Sequence, residues 1–407
     1  MKKALAVCFI TLLLLGLAAG FLTAQAAETP KSNGQFVPTP TPQPTATPRP
    51  ASKPTPPPAV MPDSVKISGK STRTLNYYDS LRLKAVVTPS DAETKLTWTS
   101  SNPDVVFVDY KGEVTGMGLG SATVTVRTSN GKKASVKIKV PYMKGKCGEH
   151  VTFRLDRKGV MTIAGKGEMY EYENYNYNSG DGIMFARCIP RAREVVIKKG
   201  VTRIGTRAFE EWPLLKKVTV AGSVQTIGRC AFESCKKLTS VKLSDGLKTI
   251  GERAFSGTSL KSVKLPKSVE TIEYGAFSGC KALATVTFNK GLRTIGSHAF
   301  SGCKALAGVT FRKGLRNIAS YAFSGCKLQK EVILPDGVTY IGERAFGGCK
   351  KLRFLTIPAS VIIIPSYGSD NQSSPFNDDD RVTIKGYRGS YAEWYADVMG
   401  IPFKAIG

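Results

Sequence analysis

Apolar and polar positions in the second half of the chain recur with a fixed period. Ala-Phe pairs stand at Ala208-Phe209, Ala231-Phe232, Ala254-Phe255, Ala276-Phe277, Ala299-Phe300, Ala322-Phe323 and Ala345-Phe346, in steps of 23, 23, 22, 23, 23 and 23 residues. A constant period in this range predicts a solenoid, in which each unit buries its apolar face only against its neighbours. One complete unit runs from Ala276 to His298. Stacking the units places Ile204, Ile227, Ile250, Ile272, Ile295, Ile318 and Ile341 in one buried ladder and the repeated Phe in another. Val286-Thr287-Phe288 alternates with period two. That predicts a strand with its outer residues inward and Thr287 outward. The outward column then reads Thr219, Lys242, Lys264, Thr287, Thr310, Ile333 and Thr356.

A different pattern fills residues 63–141. Short runs such as Leu81–Val87, Leu96–Thr99, Ala122–Val126 and Val136–Val140 mostly alternate apolar with polar, and Asn102-Pro103 and Asn130-Gly131 separate them. Short strands at this spacing, with no helical periodicity, predict a β-sandwich with Trp98 in its core. Residues 146–193 read as an N-terminal cap that opens with a hairpin turning at Lys158-Gly159, because a solenoid end would otherwise expose its core. Residues 194–365 are the repeats, and 366–407 a C-terminal cap with a short amphipathic helix around Tyr391–Ala396. Ahead of these, 11 of the 26 residues in 37–62 are Pro, which predicts a semi-rigid polyproline spacer in the linker 27–62. Residues 1–26 read as a signal peptide: Lys2-Lys3, an apolar run, then Ala24-Gln25-Ala26. The apolar run is also long enough for a retained anchor. The fold class is therefore mainly β, a β-sandwich followed by a capped solenoid.

Particular residues carry two resemblances. Val87-Thr88-Pro89, Trp98-Thr99-Ser100-Ser101-Asn102-Pro103, Gly112-Glu113-Val114-Thr115-Gly116 and Gly120–Val126 make the first segment resemble the bacterial Ig-like domain, group 2. That resemblance implies an extracellular spacer or adhesion module. Leu238-x-x-Val241-x-Leu243 opens a leucine-rich repeat, with Gly246 where the common form has Asn or Cys. With the Ile-Gly and Ala-Phe-x-x-Cys elements, residues 146–407 resemble the BspA-like (Treponema-type) leucine-rich repeat family of bacterial surface proteins. The resemblance implies secreted or surface-displayed proteins that bind host proteins or other cells. Family members differ in ligand, so none carries over. Departures are local: Thr258 and Trp212 replace Cys in two units, and Leu328 is shifted by one.

Nine cysteines change this picture little. Cys235, Cys280, Cys303, Cys326 and Cys349 share one column and read as small buried thiols. There is no C-x-x-C pair, so no metal site is expected. Cys147 and Cys188 leave a cap disulfide open. The chain has two histidines, His150 and His298, and no nucleophile elbow, phosphate loop or H-E-x-x-H. His298 reads as a surface residue, and Asp378-Asp379-Asp380 as a solvated loop. Neither catalysis nor a cofactor is expected.

Charge sharpens the functional expectation. The formal net charge is +27, and the stretch from Tyr274 to Lys330 holds nine Lys or Arg and no Asp or Glu. Such a surface attracts polyanions. The period sorts the charges into columns: Lys236, Lys281, Lys304, Lys327 and Lys350 after Cys; Lys267, Lys290 and Lys313 in a turn; Arg293 and Arg316 in a third. Lys242, Lys264, Lys290, Arg293, Lys304, Arg312, Lys313 and Arg316 are the candidate ligand-binding residues. They would hold a host or neighbouring-cell surface protein or an anionic glycan, as in an exported adhesin. The alternative is a structural envelope component retained on anionic wall polymer. Nucleic acid is not an expected partner, because the exposed strand positions lack interleaved aromatics. A membrane enters only through a retained N-terminal segment.

Overall fold

A computed structural model describes residues 59–172, 185–186, 188–365, 374–376 and 381–407. The expected signal segment, nearly all of the linker, residues 173–184 of the expected N-terminal cap and the Asp378–Asp380 run lie outside the described residues. Among the described residues no helix is long and apolar enough to cross a membrane.

The first segment folds as the alternation requires. Lys133–Val140 pairs antiparallel with Gly120–Arg127, which pairs with Thr97–Ser100. Ala122, Val124, Val126, Val136, Ile138 and Val140 face inward, while Lys137 and Lys139 face water. A second layer comprises Ser80–Arg82, Glu113–Gly116 and Val106–Val108. Trp98 is half-buried against the core. Gly112 lies beside its indole with φ +80°, and a Cβ there would come within 2.8 Å of the ring. A side chain would be excluded both by the backbone angle and by the ring.

Each solenoid coil has three sides. The first is the wide sheet, which begins at Tyr142–Lys146, in the interval between the sandwich and the expected start of the cap. It continues through the cap hairpin Val151–Asp156 and Val160–Gly165, then in parallel through Glu194–Ile197, Lys217–Val220 and Ser240–Lys242. The second is a narrow eight-stranded parallel sheet running from Gly167–Glu168 to Tyr340–Ile341. Here each Ile of the ladder registers with the next, from Ile204↔Ile227 to Ile318↔Ile341. Those two-residue strands were not visible in the alternation. The third side is the Ala-Phe turn. From Phe209 to Phe323, each Phe N–H donates to the Ala carbonyl of the following coil at 2.7–2.8 Å. The buried rings stack at 5.1–5.7 Å with planes within 8°.

This third side turns its corner with residues of positive φ. One column is Arg207, Cys230, Arg253, Gly275, His298, Tyr321 and Arg344; the other is Glu211, Ser234 and then glycine from Gly257 to Gly348. Glycine takes the second column in the later coils because the left-handed region costs it no Cβ clash.

The wide sheet is interrupted where the repeat departs from its pattern. Ser240–Lys242 ends one sheet, and Ser262–Lys264 begins another with Thr285–Thr287. The coil between is the one of 22 residues. Coil five has no strand around Thr310, only a bridge between Thr285 and Gly308. There Gln329 replaces the ladder: its Oε1 accepts from Val309 N–H at 2.9 Å and its Nε2 donates to Val309 O at 2.9 Å. The one-residue shift of Leu328 puts Gln329 in the position that elsewhere holds a buried Leu. From Glu331–Ile333 the sheet resumes through Phe354–Thr356, Thr383–Gly386 and Phe403–Ala405.

Both ends are closed. Trp212 takes the cysteine position in the first unit and packs at 5.4 Å from Phe185 and 5.0 Å from Phe209. Phe185 in turn meets Phe153 of the hairpin at 5.2 Å. At the other end the helix Tyr391–Val398 buries Ala392, Tyr395 and Ala396, as the expected amphipathic helix would.

Truncating a central ring tests this packing. Phe277→Ala should cost about 3–5 kcal/mol through lost burial and a residual cavity. Urea unfolding followed by circular dichroism measures it. A loss below about 1 kcal/mol would contradict a close-packed Phe stack.

Candidate functional site

The eight basic candidates are all exposed, and the coil distributes them around the wide sheet. Lys242 and Lys264 stand on the sheet itself, in the row defined by Thr219↔Lys242 and Lys264↔Thr287. Lys290, Arg312 and Lys313 occupy the corner leading from the wide sheet to the narrow one. Arg293 and Arg316 immediately precede the narrow strands Thr294–Ile295 and Asn317–Ile318. Lys304 lies at the other corner, between the Ala-Phe turn and the wide sheet. The structure therefore gathers most of them on one side of the coil and sets Lys304 on its opposite margin.

Between the two basic margins, the outward strand positions carry hydroxyls beside Lys242 and Lys264. Ser240, Ser262, Thr285, Thr287 and Thr310 are all exposed. Sequence reasoning placed Thr287 and Thr310 outward but missed Ser240, Ser262 and Thr285, although the alternation that fixed the Thr287 column also fixes the column two residues before it.

Their electrostatic partners differ. Arg293 Nε lies 4.0 Å from Glu270 Oε2 of the preceding coil. Arg316 Nη1 donates to Gly337 O of the following coil at 3.2 Å. Lys242, Lys264, Lys290, Lys304, Arg312 and Lys313 form no ion pair among the described residues. Toward the C-terminal end the face becomes mixed: Lys385 Nζ pairs with Glu331 at 2.6 Å and lies 4.4 Å from the Phe354 ring centre, beside an exposed Ile333.

The cysteine column is buried, as its surroundings require, but it is not merely apolar. Each Sγ donates to the Phe carbonyl of the preceding coil: Cys235 to Phe209 O at 2.9 Å, Cys280 to Phe255 O at 3.1 Å, and Cys303, Cys326 and Cys349 to Phe277, Phe300 and Phe323 at 3.2 Å. Thr258 fills the same place with its hydroxyl, 3.2 Å from Cys280 Sγ. Burial pushes the Cys235 thiol up to about 12 and raises Cys326 as well. Cys147 and Cys188 are both buried thiols. Burial likewise pushes Cys188 up to about 12.

Cys230 stands outside the column, within reach of Glu210 and Glu233. Both carboxylates are taken by arginine: Glu210 by Arg207 Nη1 at 2.7 and 2.8 Å, and Glu233 by Arg253 at 2.5 and 2.8 Å. Burial and the hydrogen bond to Glu233 push the Cys230 thiol up to about 12. This donor set is a closed ion cluster rather than a metal site. His298, expected at the surface, is half-buried and stacks on Tyr321 at 4.7 Å and 2°. Burial lowers its pKa.

Two family models match this chain. Residues 182–272 and 248–374 match the BspA type leucine-rich repeat region in six copies, and residues 63–138 match the bacterial Ig-like domain (group 2). A lacto-N-biosidase of Bifidobacterium bifidum is 49% identical over 59 residues, 14% of this chain and 5% of that protein. An alpha-L-arabinofuranosidase of Bifidobacterium longum is 43% identical over 89 residues, 20% of this chain and 8% of that protein. The chain thus spans less than a tenth of the length of either relative. Among solved structures, a leucine-rich repeat protein from Bacteroides ovatus is 21% identical, covering 63% of this chain and 76% of that one with a TM-score of 0.41. A leucine-rich repeat protein of T. pallidum is 27% identical, covering 51% and 90% with a TM-score of 0.38.

The Cys235 thiol sets a pH dependence. In the unfolded chain it ionises near 9.0, while in the folded chain it stays protonated until about 12. Its stabilisation is complete below the unfolded value and is lost as pH rises between the two. At about pH 10 the loss should be about 1.4 kcal/mol for this thiol. Melting curves at about pH 8 and about pH 10 measure it, and Cys235→Ala should shrink the drop. An equal drop in that variant would exclude the thiol as its cause.

Proposed function

We infer a binding function from two identities: residues 182–272 and 248–374 are a BspA-type leucine-rich repeat region, and residues 63–138 are a group 2 bacterial Ig-like domain. Regions of these kinds are typically non-enzymatic, and proteins with BspA-type repeats are typically found at the cell surface. On this reading the chain is an exported, surface-associated binding protein without catalytic activity. Its solenoid holds an anionic glycan of a host or neighbouring cell along the wide sheet.

The observation that carries the reading is the wide sheet's composition: a hydroxyl floor between two margins of lysine and arginine, most of them without a carboxylate partner. Successive coils repeat at about 4.8 Å, the spacing of neighbouring strands. Two unit charges about 5 Å apart repel by about 0.8 kcal/mol even in water. A polyanion lying across the coils offsets that repulsion along the whole column. Its hydroxyls find donors and acceptors in Ser240, Ser262, Thr285, Thr287 and Thr310. A neutral partner would leave the repulsion in place.

Charge reversal tests this. Lys290→Glu, Arg312→Glu and Lys313→Glu together change residues with no ion-pair partner, so the fold should survive. The triple variant of the full chain should elute from a heparin column at markedly lower salt than the unaltered protein. Unchanged retention would reject this face as the contact.

A further inference from the structure

One interruption of the wide sheet is left open. Between successive coils the sheet is extended by a bond from the residue after the strand: Leu265 N–H to Thr287 O at 3.1 Å, Leu334 N–H to Thr356 O at 3.0 Å, Ile357 N–H to Lys385 O at 2.8 Å. The counterpart, Leu243 N–H to Lys264 O, is not made, and Leu243 N–H has no backbone acceptor among the described residues. Ser240–Lys242 and Ser262–Lys264 accordingly belong to different sheets. The cause lies in the one short coil. Cys235-Lys236-Lys237-Leu238 becomes Thr258-Ser259-Leu260, and Ser259 Oγ draws the shortened corner onto Lys236 O at 2.7 Å. The strand that follows starts one residue early and cannot complete the ladder. In coil five the Gln329 amide bonds Val309 N–H and O, although Phe288 N–H still has no backbone acceptor among the described residues; here no side chain intervenes.

A cleft of about 540 Å³ opens at this place. Lys242, Lys264 and Lys267 line it, with Leu243 and Asp245. Asp245 is the one carboxylate present, and its Oδ1 is engaged by Lys267 N–H at 3.0 Å. The cleft therefore combines three ammonium groups, one carboxylate already hydrogen-bonded, and a half-buried backbone N–H without a protein partner.

We propose that this cleft is a specific oxyanion subsite, taking a sulfate ester or uronate carboxylate of the glycan. The proposal rests on the reading of the wide sheet as a glycan-binding face and names the point at which a single anionic group is fixed. One oxygen accepts from Leu243 N–H, and the ammonium groups of Lys242, Lys264 and Lys267 neutralise the charge. Phe288 N–H and Thr310 N–H likewise have no backbone acceptor among the described residues. What sets the cleft apart is that Lys242, Lys264 and Lys267 line it together with the Leu243 donor, and a fixed donor defines position as well as sign.

The test uses the full chain, with a heparin tetrasaccharide as the sulfated probe and a hyaluronan tetrasaccharide as the carboxylate-only probe. In amide NMR, the Leu243 N–H should move downfield as the occupying probe is added. Movement with heparin alone assigns the group as sulfate, and movement with both assigns it as any oxyanion. Lys264→Ala and Lys267→Ala should each weaken binding about tenfold, the loss expected for one charge-assisted contact. The decisive variant inserts one Ala between Ser259 and Leu260. It restores a full-length coil and closes the ladder without altering a charge, and it should weaken binding at least tenfold. A Leu243 resonance unmoved at saturation by both probes overturns the proposal. So does an insertion variant that melts as the unaltered protein does and binds equally well. If the insertion prevents folding, the Leu243 resonance of the unaltered chain decides. Loss of heparin retention in the Lys290/Arg312/Lys313 variant together with an unmoved Leu243 rejects only the subsite. Retention unaffected in every variant rejects the binding face itself.

Discussion

Backbone hydrogen bonding between coils governs this molecule. A solenoid coil has no helix and little local pairing, so its N–H and C=O groups are satisfied chiefly by the coils before and after it. A buried peptide group left without a partner costs about as much as a lost hydrogen bond. That requirement fixes the repeat length. With 23 residues per turn most inter-coil bonds close, the Ile and Phe side chains fall into register, and the exposed charges line up in columns. Packing and surface chemistry are both consequences of one spacing.

Where the backbone cannot meet itself, side chains take over. The cysteine thiols add a donor from the next coil to Phe carbonyls, four of which also accept a backbone N–H from their own turn. Ser223, Ser268 and Ser360 each accept a glycine N–H and donate to a carbonyl of the preceding coil. Asn289 bonds Pro266 O, Val269 O and Leu292 N–H at once. Gln329 does the same for Val309. These residues look like ordinary polar substitutions in a repeat. Their common role is to keep the turns satisfied; the cysteines and Asn289 do so from buried positions, the serines and Gln329 from half-buried ones.

Much of this was legible before any coordinates. The Ala-Phe period fixed the solenoid, the Ile and Phe ladders, and the exposure of Thr287 and its column. Alternation in 63–141 fixed the sandwich. What stayed hidden had physical reasons. The two-residue Thr-Ile strands are too short to show a period. The thiol-to-carbonyl bonds depend on which coil lies beneath, which composition does not state. Thr310 sits in a strand-like sequence without a strand, because Gln329 one coil later supplies the pairing. Of the candidate site, the columns of charge were readable. Their distribution, with Lys242 and Lys264 on the sheet and the others at its margins, and the engagement of Arg293 and Arg316 by neighbouring coils, were not. The deleted residue in the third unit was in plain view; its effect on the ladder emerged only in three dimensions.

The end closures have a consequence of their own. Trp212 with Phe185 seals one terminus, and the Tyr391–Val398 helix seals the other, so neither seal depends on how many turns lie between. Gain or loss of one repeat by recombination would leave both terminal plugs intact and change the length of the exposed wall by a single strand spacing. Such a scaffold lets an organism alter the reach of its contact surface in uniform increments, without redesigning its interior or its boundaries.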